Sequence, residues 1–135
     1  MAEATVRWLT GKQFVGVDST RHSVVLSSAD EGVGVKPSDL ILIALAACTA
    51  VDVVDILRKK RAELSSFEIN VSGEQDADPP WTFRKIHLRY RLGGKGLTKK
   101  AVEQAIQLSE EKYCSVAATI RGVAEITREF ELLPA

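Results

Sequence analysis

The 135-residue sequence predicts a single α+β domain, residues 1–135, with elements in the order βββ-α-ββ-αα-β. Three observations lead there. Short segments that alternate apolar and polar residues open the chain. One long helix, apolar on every face in its first half, follows them. Two longer alternating segments, a helical pair and a last alternating segment complete the chain. No repeat, low-complexity stretch or linker divides it.

The opening segments ATVRWL, QFVGVDS and HSVVLS read as an antiparallel meander, with Gly11-Lys12 as the first turn. The loop ADEGVGVKP leads to the helix, expected from about Ser38 to about Arg61. Pro37 presets the backbone angle of a first helical turn, Ser38 offers a capping oxygen, and Asp39 suits the positive end of the dipole. The stretch LILIALAAC has no polar face, so the helix should be buried all round. One small chain can hardly surround it, and a second subunit is expected to help. Beyond that stretch Val51, Val54 and Leu57 make one apolar face, and Arg58 to Arg61 place positive charge at the helix end.

SSFEINVSGE is the fourth strand, with Phe67, Ile69 and Val71 inward. The proline-bearing loop QDADPPW separates it from RKIHLRYRL, in which Ile86, Leu88, Tyr90 and Leu92 share a face. After the break Gly93-Gly94-Lys95-Gly96, Thr98 should cap a helix running to about Lys112. Its core face is Val102, Ala105, Ile106 and Leu108. Cys114 interrupts that pattern, SVAATIR reads as a short third helix ended by Gly122, and AEITREFEL as the last strand. Trp81 and Tyr113 read as core or as the lining of a pocket.

An apolar share of 45% and a charged share of 27% are globular values. The formal net charge of zero leaves no field to draw in nucleic acid or an anionic membrane. The first residues show no basic segment leading into an apolar run, and Leu40 to Cys48 alone is too short to span a bilayer. A cytoplasmic protein is expected, with its two cysteines reduced at rest rather than in a structural disulfide.

Few chemistries survive a search for motifs. GGKG lacks the spacing and the hydroxyl residue of a phosphate loop, and no serine-hydrolase motif occurs. His22 and His87 fall on polar sides of strands without ligand spacing to the cysteines, so neither a metal nor another cofactor is called for. What remains is Cys48. It reads either as a small buried apolar residue or as a reactive thiol. Asp52 and Asp55 follow on its helix face, where unpaired carboxylates would suppress a thiolate. An arginine, with Arg7, Arg21 and Arg84 available, would reverse that. Cys114 is expected close to a helix N-terminus, whose dipole can lower a thiol pKa.

The segments KPSDLILIALAACTAVDVVDILRKKR and LSEEKYCSVAATI together resemble the OsmC/Ohr family of small bacterial thiol peroxidases and their relatives. The likeness is to the OsmC-like branch in which the first cysteine is followed by a Cys-x-x-x-Asp-Val-Val helix. It covers nearly the whole chain. The resemblance implies an intertwined homodimer, with antiparallel sheets from both chains wrapped around central helices. It also implies that Cys48 is peroxidatic and that Cys114 resolves the product as a disulfide, later reduced by an external thiol.

The resemblance further implies an assisting arginine and carboxylate. Arg21 is the candidate arginine by position, with Arg7 second. The family's glutamate falls on Ser38, and Asp39 is the nearest carboxylate, about 100° further round the helix. The expected activity is reduction of organic hydroperoxides. The alternative is a dimer of the same fold, without turnover, that binds a small apolar ligand or a partner.

Overall fold

The computed structural model describes residues 2–134. Two compact units divide the chain, one up to Ile41 and one from Leu42 onward.

In the N-terminal unit, β1 (Ala4–Thr10), β2 (Gln13–Asp18) and β3 (Ser23–Ser27) form the expected antiparallel meander in sheet order β1-β2-β3. Gly11 makes the first turn at a φ of +50°, where a side chain would collide with the Glu31 carboxylate. The Ser27 hydroxyl accepts the amides of Val33 and Gly34 and so shapes the loop after β3. Every residue of β1 is exposed, including Val6, Trp8 and Leu9. His22 is exposed as well, with its ring held by Thr20 in the β2–β3 turn.

Helix α1 runs Pro37–Lys59, close to the predicted span. An 18-residue window within it has a mean hydropathy of 2.4, so by length and composition this helix could cross a membrane. The nine residues Leu40 to Cys48 alone did not reveal this. Its inner face is nevertheless core: Leu45, Thr49, Val53 and Leu57 are buried. The expectation of burial on all sides fails within one chain, since Ile43 is exposed and Val51 is 69% exposed.

The C-terminal unit is built on a sheet of order β4-β5-β6, from β4 (Glu63–Gln75), β5 (Phe83–Lys95) and β6 (Glu125–Leu133). The pair β4–β5 is antiparallel, whereas β6 lies parallel to β5, from Lys85↔Glu125 to Gly93↔Leu133. The sheet is therefore mixed, a correction to the all-antiparallel expectation. A parallel neighbour needs a long crossover, and the helices between β5 and β6 provide it. At the far end of β4–β5 the chain bulges between Leu64 and Ser66. Gly94, at φ +155°, sits against the Glu63 carbonyl with no room for a Cβ.

Ile86, Leu88, Tyr90 and Leu92 are fully buried, as their alternation predicted. They form one core with Leu45, Val53 and Leu57 of α1 and with Val102, Ala105 and Ile106 of α2 (Lys99–Leu108). Thr98 caps α2 by accepting the Ala101 amide at 3.0 Å. The helix does not continue to Lys112. Ser109–Tyr113 winds instead as a π-helical turn, and α3 (Ser115–Ile120) follows. Leu108 is 40% exposed rather than on the core face, whereas Ser109 and Glu110, one turn beyond Ala105 and Ile106, are buried. Trp81 and Tyr113 are both exposed rather than core.

Truncating Leu88 to alanine should cost about 2–5 kcal/mol, the range for a fully buried aliphatic side chain whose site cannot collapse. Urea denaturation with an unchanged slope is the measurement.

Candidate functional site: a pair of thiols beside a π-helical turn

Cys48, Thr49 and Asp52 lie on the middle turns of α1. Thr49 is fully buried and returns its hydroxyl hydrogen to the Ala46 carbonyl at 3.0 Å. Asp52 is one turn beyond Cys48 and so shares its face. Its carboxylate accepts a 2.8 Å hydrogen bond from the Ser109 hydroxyl. The arginine expected as partner is not what meets it. Asp55 is exposed and pairs with Lys59 at 3.5 Å, and Arg84 pairs with Asp76 at 3.1 Å.

The π-helical turn closes where the Cys114 amide donates to the Ser109 carbonyl at 2.7 Å. Cys114 then leaves helical geometry and becomes the N-cap of α3, its sulfur accepting the Ala117 amide at 3.3 Å. Only 2% of Cys114 is exposed, and both cysteines are free. Its thiol is pushed up to about 11, first by burial and then by the Cys48 thiol, which acts as a hydrogen-bond partner and through its charge. The Ala117 amide pulls the other way and loses. Two conclusions follow. The fold brings the two cysteines, 66 residues apart in sequence, to one core and close enough for the Cys48 thiol to act on Cys114. The helix N-terminus does not activate Cys114, because α3 is a single short helix and burial opposes the charged form.

A second polar layer backs the turn. Glu110 is 7% exposed; its carboxylate accepts from the Tyr90 hydroxyl at 3.2 Å and pairs with Arg128 at 3.3 Å. Arg121 donates to the Glu110 carbonyl. Burial raises the Glu110 carboxyl, and Arg128 followed by Tyr90 oppose the rise. Burial likewise raises the Tyr90 phenol, opposed by the Thr49 hydroxyl beside it. A cavity of about 470 Å³ opens next to this layer, lined by Glu110, Arg121, Val123, Ile126 and Arg128 among others. Ser109, Glu110, Tyr90 and Arg128 were not foreseen as site residues, because their partners come from distant segments and nothing in LSEEKY marks a π-helical turn.

The other two candidates belong to the N-terminal unit. Arg21 is exposed in the β2–β3 turn, in the left-handed region at φ 67°, and Asp39 is exposed in the first turn of α1. On the outer face of the C-terminal sheet, His87 meets Thr127 at 2.7 Å and Glu129 at 3.1 Å, a surface role as expected.

Residues 28–129 match the family model described as OsmC-like protein. The chain belongs to that family. It is 32% identical to Protein YhfA of Escherichia coli K12 over 133 residues, 98% of this chain and 99% of that protein. A crystal structure of a hypothetical protein from Aquifex aeolicus VF5 superposes with a TM-score of 0.84 at 30% identity, covering 98% of each chain. The organic hydroperoxide resistance protein OhrB of Bacillus subtilis superposes at 0.63 with 18% identity, over 97% of this chain and 98% of that one, and shares the fold.

Two measurements check the electrostatics. Alkylation of Cys114 followed by mass spectrometry should accelerate only as pH approaches about 11. In Cys48→Ser the midpoint should fall yet stay above the ordinary 9.0, because burial is the larger cause. Separately, Arg128→Met should destabilise the protein at neutral pH by on the order of 2 kcal/mol by stranding a buried carboxylate. Since burial already raises the Glu110 carboxyl from its ordinary value, that loss should shrink as pH falls and the group takes up a proton. Urea titrations at two pH values measure it.

Proposed function

We propose that the protein is a homodimeric, cytoplasmic thiol peroxidase that reduces organic hydroperoxides. The observation that carries the reading is the pair of free thiols brought together in one core, one half-buried and one nearly sealed. Membership of the OsmC-like family supports it, as does a shared fold with a protein named for organic hydroperoxide resistance.

The thiolate of Cys48, the more accessible sulfur, attacks the terminal oxygen of the hydroperoxide. The O–O bond breaks, the alkoxide takes a proton and leaves as the alcohol, and Cys48 becomes a sulfenic acid. Cys114, kept protonated by burial, does not compete for peroxide. Its sulfur then attacks the sulfenic sulfur, water departs, and a disulfide forms. An external dithiol restores both thiols and carries away the two oxidising equivalents. In this reading Arg21 is the candidate by position for the family's assisting arginine, and Asp39, one position from where the family's glutamate falls, is the nearest carboxylate for its role. The apolar residues left exposed on β1 and α1 fit a second copy of the chain.

Ser38 in place of the family glutamate, with Asp39 exposed, favours a second reading in which the dimer binds a small apolar ligand without turnover. Consumption of cumene hydroperoxide with dithiothreitol separates the two. Turnover should be lost by at least two orders of magnitude in Cys48→Ser. In Cys114→Ser one equivalent of peroxide should be consumed before the reaction slows, with the sulfenic acid at Cys48 trapped by dimedone. Consumption no faster than by dithiothreitol alone, with both thiols still reduced, would establish the ligand-binding reading.

A further inference from the structure

Cys48 and Asp52 are one helical turn apart on one face of α1, where side chains four residues apart are neighbours. Ser109 opens the π-helical turn and Cys114 follows directly after it, joined to Ser109 by the 2.7 Å bond that closes the turn. Two contacts therefore run side by side between the same two elements: Cys48 with Cys114, and Asp52 with Ser109. Ser109 is fully buried, and its hydroxyl donates to a carboxylate, the stronger kind of hydrogen bond. It also lies 3.4 Å from the Thr49 carbonyl. Among the described residues, Ser109 makes the only side-chain hydrogen bonds from the turn to α1. The other buried polar residue of the turn, Glu110, is tied to the sheet through Tyr90 and Arg128.

We propose that Ser109 and Asp52 are positioning residues for disulfide formation: their hydrogen bond fixes the π-helical turn on α1 and sets the effective concentration of the Cys114 thiol at Cys48. A π-helical turn is a rare, single-turn irregularity in a helix, and without this tie its side chains are held to the sheet and to Arg121 but not to α1. Cys114 then spends less time within reach of Cys48. The inference rests on the reading of the two cysteines as a redox pair, and it does not require that peroxide be the oxidant.

The test is the thiol–disulfide equilibrium of the full-length protein in glutathione buffers. One glutathione disulfide oxidises the Cys48/Cys114 dithiol to the disulfide and yields two glutathione thiols. Ser109→Ala and Asp52→Ala should each lower the equilibrium constant about tenfold, or about 30 mV in potential. Ser109→Thr, which keeps the hydroxyl, should stay within threefold of the wild type. Val102→Ala loosens the core of α2 without touching the tie, and should lose stability in urea while leaving the constant unchanged. An unchanged constant in Ser109→Ala, or an equal fall in Val102→Ala, overturns the proposal. Peroxide consumption is assayed separately. A protein without turnover whose equilibrium still shifts in Ser109→Ala refutes the peroxidase reading and leaves the positioning role standing.

Discussion

Two consecutive polar residues, Ser109 and Glu110, are buried within a single turn, and the placement of the site depends on that constraint. At about 100° per residue Ser109 falls one turn beyond Ala105 and Ile106 on the core face of α2, with Glu110 beside it, whereas Leu108 falls outside that face. The π-helical winding then carries the chain from these two residues to Cys114. Each polar group then has its own partner: Ser109 reaches α1, and Glu110 reaches Tyr90 and Arg128 on the sheet. Cys114 arrives at the Cys48 thiol because the turn ends there. The parallel pairing of β6 with β5 belongs to the same solution, since it brings Arg128 alongside the buried carboxylate.

Burial also decides how the two sulfurs differ. Cys114 occupies the capping position of α3, where an amide hydrogen points at its sulfur. Such positions are associated with activated thiols. Here the helix has six residues and the sulfur is sealed from water, so the cost of removing a charge from solvent exceeds what one amide supplies. The same position in an open site would make a nucleophile. In this one it makes a thiol held in reserve.

Much of the fold was legible in the sequence because each element follows one simple period. The alternation in RKIHLRYRL named the four buried residues of that segment, and the capping role of Thr98 followed from its place before an apolar helical pattern. The two cysteines stood out because the residue types around them left little other chemistry. The unforeseen features are those with no local code. A π-helical turn differs from an α-helix by one residue of winding, and nothing in SEEKY marks where it begins. The direction of β6 depends on a crossover rather than on its own residues. The partner of Asp52 is a serine 57 positions away, which pairwise charge arguments along α1 had replaced with an arginine.

Chain order adds a temporal side to this arrangement. Residues emerge from the ribosome in sequence, so Cys48 and Asp52 are exposed long before Ser109 and Cys114 appear. Arg128, which neutralises Glu110, comes later still, in the last strand of the fold. Until β6 docks, the turn holds a carboxylate that cannot be buried without its counter-charge, and the two thiols have no fixed geometry. During synthesis, therefore, nothing in the fold yet shields Cys48 or sets it against Cys114.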